Sequence, residues 1–238
     1  DVAVKVLHEN VAGDPEYTVR MVREQRAMAA LEGTAAVRVF GLTATPDGAL
    51  CLVMELLQGK DFDDLLVDIE ATGARMSVEQ LLRIVTPVVD TLERAHDAEI
   101  VHRDLKPGNV FVIDEARGGG VRLLDFGLAK IKRSQPLTRE GMIIGSPSYI
   151  APEVWTGDVR VLDHRVDVYS LGAIIFRALA GRVPFDAPTI RAKLELTTSA
   201  ERPSLYELRP DLAPDVDEWV RQALAIDPDR RLHRVRGM

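Results

Sequence analysis

The sequence predicts an α+β fold, in which a small sheet with one helix precedes a larger, mainly helical part. Three observations carry this. Up to Glu55, three strand-like runs flank a single helical one. From Gly59 onward the apolar residues recur at helical spacing. Residues 166–180 are apolar on nearly every face, the pattern of a helix buried all round.

Residues 2–7, VAVKVL, alternate and are β-branched, which predicts a strand with Lys5 on one face and Val4 and Val6 on the other. A helix over residues 15–32 follows, with Asp14 as N-cap, Pro15 in its first turn and Gly33 just past its end. At about 100° per residue, Met21, Glu24, Met28 and Leu31 share one narrow face, so the Glu24 carboxylate sits in an apolar stripe and needs a partner. Residues 37–42 and 50–55 predict two more strands, joined through the turn signal Pro46, Asp47, Gly48. Gly59 marks the one composition shift that suggests a boundary, dividing the chain into residues 1–58 and 59–238. Beyond it, Ser77 and Gln80 form a capping box for a helix carrying Leu81, Val85, Val88 and Leu92. Pro87 lies inside that helix, removes one backbone donor and predicts a kink. Residues 110–113 and 121–124 predict a hairpin joined through Gly118, Gly119 and Gly120.

Composition narrows the function. The 238 residues carry 30 Lys and Arg against 37 Asp and Glu, a net charge of −7, which argues against non-specific binding to nucleic acid. The longest apolar stretch, residues 171–176, ends at Arg177, far short of the roughly 20 residues that cross a bilayer, so no membrane contact by this segment is expected. Cys51 is the only cysteine, which excludes an internal disulfide or a thiolate zinc site and fits a reducing, cytoplasmic location. The sequence begins inside a strand pattern without an initiator Met and reads as a segment of a longer protein.

Chemistry concentrates in two motifs. HRDLKPGN, residues 102–109, gathers an acid, a base and an amide between strand-like runs, where side chains can converge. Asp125, Phe126 and Gly127 place a carboxylate at a strand's end, close to a residue free to take positive φ. Singly each is weak, since an Asp in a loop is most often a turn former. Together they supply what phosphoryl transfer from a nucleotide requires: oxygen ligands for a divalent ion, a cation on the phosphates, and a carboxylate that orients the attacking hydroxyl.

On these motifs the chain resembles the eukaryotic-type (Hanks-type) protein kinases, and the Lys of DLKPGN resembles the serine/threonine branch. The motifs run in family order: VAVK ending at Lys5, Glu24 in the helix, HRDLKPGN, DFG from Asp125, APE at residues 151–153, DVYSLG at 167–172 and DPDRR at 227–231. GSPSYIAPE is similar to the wording of bacterial members. The resemblance implies a protein-kinase-like bilobal fold, with residues 1–58 a partial, truncated small lobe and 59–238 a mainly helical large lobe. The family's Gly-rich loop precedes VAVK, and a further helix follows the position of Met238.

The resemblance also implies roles. Lys5 would hold the α- and β-phosphates and pair with Glu24. Asp104 would orient the substrate hydroxyl, with Lys106 neutralising charge on the transferred group, while Asn109 and Asp125 would bind Mg2+, or Mn2+ in its place. Ala3 and Phe111 would sandwich the adenine of ATP beside Met54, and the backbone of Glu55 and Leu57 would take its polar edge. His102, Phe126 and Met28 would form an apolar column between lobes. Asp167 would anchor the catalytic-loop backbone, and Glu153 and Arg231 would form a buried ion pair that fixes geometry. Arg103 needs an anion, which implies phosphorylation of Thr138 in the activation loop, whereas Ser146 would bridge Asp104 and Lys106. The implied reaction moves the γ-phosphate of Mg-ATP to Ser or Thr of protein substrates. The presence of Lys5, Asp104, Asn109 and Asp125 weighs against a pseudokinase or inactive binding module. GSPSYIAPE and the Glu153–Arg231 pairing weigh against a small-molecule phosphotransferase. Without the Gly-rich loop, the segment is expected to bind ATP weakly and to leave a strand edge unpaired.

Overall fold

A computed structural model of the chain describes residues 1–6, 25–26, 28–46, 49–126, 147–156 and 163–238. Strands β1 (Val2–Val6), β2 (Val39–Ala44) and β3 (Leu50–Glu55) form an antiparallel sheet in the order β1–β3–β2. The alternation of VAVKV is present. Ala3 and Lys5 lie on its half-buried face, while Val2, Val4 and Val6 are 49%, 50% and 53% exposed. β2 begins two residues later than the apolar run starting at Val37. That valine donates its N–H to the Leu123 carbonyl and Ala36 bridges Leu123, so this segment is committed to the helical body. A small apolar cluster forms around Leu52 with Val39, Leu42, Leu50 and Met54.

Residues 25–26 and 28–30 are helical, and the turn after them ends at Gly33 with φ of 83°. Met28 and Leu31 are buried. The expected start of that helix, its Met21 and Glu24, and the Asp47–Gly48 pair lie outside the described residues, as do Thr138 and Ser146.

A second antiparallel sheet has the order β4 (Gly59–Asp61), β5 (Val110–Ile113) and β6 (Val121–Leu123). The β5–β6 hairpin was legible in sequence and β4 was not, because Gly-Lys-Asp carries no apolar alternation. Gly59 has φ of 148°, and a β-carbon there would lie 2.0 Å from the Val112 carbonyl oxygen. Glycine alone lets the two strands close.

Six helices make up the rest of the described body: α1 (Phe62–Ala71), α2 (Val78–Asp97), α3 (Pro152–Thr156), α4 (Arg165–Ala180), α5 (Ile190–Ser199) and α6 (Val216–Ala223). The capping box opens α2, with Gln80 N–H 3.1 Å from Ser77 Oγ and Ser77 N–H 3.0 Å from Gln80 Oε1. Its buried stripe holds Leu81, Val85, Val88 and Leu92. α2 runs unbroken through Pro87. One turn on, the Thr91 hydroxyl donates to the Pro87 carbonyl at 2.8 Å and accepts the Ala35 N–H at 3.0 Å, so Ala35 docks on the turn that follows the proline. α4 is buried along nearly its whole length and forms the centre of the main core. Gly172 lets α6 approach it, since a β-carbon there would come within 3.0 Å of Ala223 Cβ.

Candidate active site

Residues 102–109 connect α2 to β5, and buried groups set their shape. Asp167, in the first turn of α4, accepts the His102 N–H on Oδ2 and the Arg103 N–H on Oδ1, each at 2.8 Å. His96 Nε2 lies 2.8 Å from the same Oδ2. These bonds hold Arg103 at φ of 62°, a left-handed backbone that a side-chain-bearing residue adopts only when its surroundings impose it.

The His102 ring is fully buried. Its Nδ1 accepts the Asp104 N–H at 3.3 Å, which assigns the proton to Nε2, 3.0 Å from the Leu124 carbonyl. Burial pushes its pKa below the ordinary histidine value, against the pull of the Asp167 charge. This neutral imidazole ties the backbone of Asp104 to the residue before Asp125. It also packs on Phe126, with ring centroids 4.7 Å apart.

Three polar side chains converge on the loop. Lys106 Nζ is 3.2 Å from Asp104 Oδ2, and Asn109 Nδ2 donates to the Asp104 carbonyl at 2.7 Å and to Oδ2 at 3.3 Å. With its nitrogen so engaged, Asn109 keeps its Oδ1 for another partner. The Asn109 carbonyl accepts the Leu124 N–H at 2.8 Å, stitching the loop to the strand that leads to Asp125. Asp125 is left-handed too, at φ of 45°, and its Oδ1 lies 2.6 Å from Lys5 Nζ of β1. Those side chains are 40% and 45% exposed, so the pair adds little to stability, and its consequence is alignment. Glu24, the expected partner of Lys5, is not among the described residues.

Asn109 Oδ1 and the Asp125 carboxylate are hard oxygen donors, the kind that suit magnesium, an ion that keeps waters and shares its shell with substrate phosphates. Among the described residues, no three His, Cys, Asp or Glu side chains are placed to hold an ion by themselves.

Register sets Ala3 opposite Met54 and Phe111 opposite Arg122. At the end of β3, Glu55 Oε1 accepts the Arg38 N–H and Arg122 Nε, both at 2.8 Å, while the Glu55 N–H donates to the Arg38 carbonyl at 2.9 Å. Leu57 follows and packs on the main core. Sequence reasoning missed Arg122 and His96. A lone cation between Val121 and Leu123 was the available signal for the first. Further down, Arg231 meets Glu153 through two bonds of 2.7 and 2.9 Å, with side chains 0% and 4% exposed. Its remaining donors go to the carbonyls of Ala225 and Arg165.

Residues 1–236 match the family described as protein kinase domain. The chain is 37% identical over 215 residues to serine/threonine-protein kinase pkn2 of Myxococcus xanthus, covering 89% of this chain and 25% of that protein. It is 34% identical over 238 residues to serine/threonine-protein kinase PknB of Mycolicibacterium smegmatis, covering 97% of this chain and 36% of that protein. The crystal structure of the Mycobacterium tuberculosis PknI kinase domain superimposes with a TM-score of 0.73 at 30% identity, covering 99% of this chain and 82% of that one. The chain therefore belongs to the protein kinase domain family, of the bacterial serine/threonine type, with its small sheet and helical lobe. It spans about a quarter of the length of pkn2 and about a third of PknB.

Proposed function

We propose that the chain is the catalytic part of a protein serine/threonine kinase that transfers the γ-phosphate of Mg-ATP to Ser and Thr hydroxyls of protein substrates. The observation that carries this reading is the gathering of Asp104, Lys106 and Asn109 on one loop, bonded through Leu124 to the strand that presents Asp125 to Lys5. Residues 1–58 act as the small lobe and 59–238 as the large one.

Asp104 orients the acceptor hydroxyl and takes its proton as oxygen bonds to the γ-phosphorus. The bond from that phosphorus to the bridging oxygen breaks, and ADP leaves with the electron pair. Lys106, beside Asp104, sets its charge against the transferred group, and Lys5 holds the α- and β-phosphates. Asn109 and Asp125 would hold magnesium, which when bound neutralises charge on the β- and γ-phosphates. Ala3, Met54 and Phe111 enclose the adenine, and the backbone of Glu55 and Leu57 takes its edge. Phosphorylated Thr138 pairs with Arg103, whose side chain is exposed beside Asp104, and Ser146 bridges Asp104 and Lys106. Work on ATP places the site on the cytoplasmic side of any membrane. No helix among the described residues is long and apolar enough to cross one.

The test uses the protein expressed from its full reading frame, with labelled Mg-ATP and, in parallel, Ser/Thr peptides, a Tyr peptide and an aminoglycoside. Label on phosphoserine or phosphothreonine is expected. Label only on the aminoglycoside or on tyrosine, or none at all, would overturn the reading.

A further inference from the structure

Arg177 ends the longest apolar run in the sequence, and the reaction above makes no use of it. Its side chain, 11% exposed, lies between three elements. Nε and Nη2 grip Glu70 at 2.8 and 3.0 Å, while Nη1 donates to Asp63 at 2.5 Å and to the Tyr149 hydroxyl at 2.9 Å. Asp63 and Glu70 belong to α1, which packs on the Pro107–Asn109 turn of the catalytic loop. Tyr149 belongs to the Pro147–Tyr149 turn, within GSPSYIAPE. The guanidinium thus joins α1, which packs on the catalytic loop, to residues 147–149.

Other bonds pin the same segment. The Tyr149 carbonyl accepts Ser170 Oγ at 2.8 Å, and the Ser148 hydroxyl meets Lys193 Nζ of α5 at 3.0 Å. Among the described residues, the hydrogen bond to the Tyr149 hydroxyl comes from Arg177. Its planar fork fixes orientation as well as charge, with a carboxylate at two of its edges. Burial raises the Tyr149 pKa, the Arg177 charge opposing, so the phenol stays protonated at neutral pH and accepts the bond as a neutral group. The nucleotide groups Lys5, Ala3 and Met54 come from the small sheet, whereas this cluster is built wholly from the helical body. On the kinase reading, this leaves the helical body as the side on which a protein substrate would be held.

We infer that Arg177 is a positioning residue for the protein substrate: acting through Tyr149, it fixes residues 147–150 at a set place relative to Asp104. It touches no reacting atom. The inference rests on the kinase reading, and its test separates the two. Steady-state kinetics of the full-length protein are measured with ATP and peptide varied independently for wild type, Arg177→Met, Arg177→Lys and Tyr149→Phe. In Arg177→Met the peptide KM rises roughly tenfold, with the ATP KM and kcat within about twofold of wild type. Tyr149→Phe, which removes one hydroxyl and keeps the ring, raises the peptide KM by about threefold. The double variant is no worse than Arg177→Met alone, because the bond that Tyr149→Phe removes is already broken there. Arg177→Lys keeps the charge without the fork and falls between. An unchanged peptide KM in both Arg177→Met and Tyr149→Phe would overturn the role, as would equal losses in both KM values and kcat. Tyr149→Phe decides the matter if Arg177→Met fails to fold. A wild-type protein that labels no Ser/Thr peptide refutes the kinase reading itself.

Discussion

Replacing Asp167 by Asn removes the support of the catalytic loop while changing almost no volume. Each carboxylate oxygen of Asp167 accepts one backbone N–H, from His102 and from Arg103, and Oδ2 also meets His96. An Asn side chain offers one oxygen and one NH2. Whichever way it turns, an NH2 faces one of those two backbone donors in a fully buried site. One charge-assisted bond is lost and the other becomes neutral, a cost of about 3 kcal/mol. That equals or exceeds the ~1–3 kcal/mol needed to hold a residue such as Arg103 in the left-handed region. The loop then relaxes and Asp104 leaves its place. Since about 1.36 kcal/mol is tenfold in rate, kcat should fall on the order of 10²-fold. The ATP KM should barely move, because Lys5 and Asp125 pair with each other and do not contact Asp167. The assay is peptide phosphorylation at saturating ATP, with circular dichroism to confirm folding. A folded Asp167→Asn protein with kcat within threefold of wild type would refute the anchoring argument.

Three further outcomes follow from the packing. Gly59→Ala should lower the urea midpoint through a loss of about 2–3 kcal/mol, since its β-carbon meets the Val112 carbonyl oxygen at 2.0 Å and the β4–β5 pair must open; an unchanged midpoint contradicts this. Arg231→Met should cost about 3–5 kcal/mol in the same experiment because it takes the paired guanidinium from the buried Glu153 carboxylate, and adding Glu153→Leu should restore much of that loss. His102 gives a pH signature. Its folded-state pKa is depressed, so below about 6.5 the unfolded chain binds the extra proton first, and stability falls as pH drops through that value. Unfolding midpoints between pH 7.5 and 5.5 should therefore decline less steeply in His102→Phe than in wild type, and equal slopes would assign the acid sensitivity elsewhere.

Much of the site could be read in the sequence because its groups sit on short contiguous motifs. HRDLKPGN carries three converging side chains within eight residues, and DFG adds the fourth at a strand end. The β3 strand, the β5–β6 hairpin, the Ser77–Gln80 capping box and the buried α4 were legible for the same reason, since each rests on local periodicity or capping chemistry. What escaped depends on partners far apart in the chain. Arg122 reaches Glu55, Arg177 reaches Asp63, Glu70 and Tyr149, and His96 reaches Asp167; each looks like a solvated or incidental polar residue until the fold brings its partner. β4 escaped because a three-residue strand built on glycine has no pattern. The start of β2 was read two residues early because Val37 looks like sheet and bonds instead to Leu123.

In the proposed reaction Asp104 delivers a Ser or Thr hydroxyl to the γ-phosphate of Mg-ATP. The most direct measurement sets the peptide phosphorylation rate of the full-length protein against that of its Asp104→Asn variant, with Mg-ATP affinity of each taken by calorimetry. Wild type should yield phosphoserine or phosphothreonine, and the variant a kcat lower by about 10²–10⁴-fold with an equal Kd for Mg-ATP. A variant that phosphorylates peptide at close to the wild-type rate would contradict this role of Asp104.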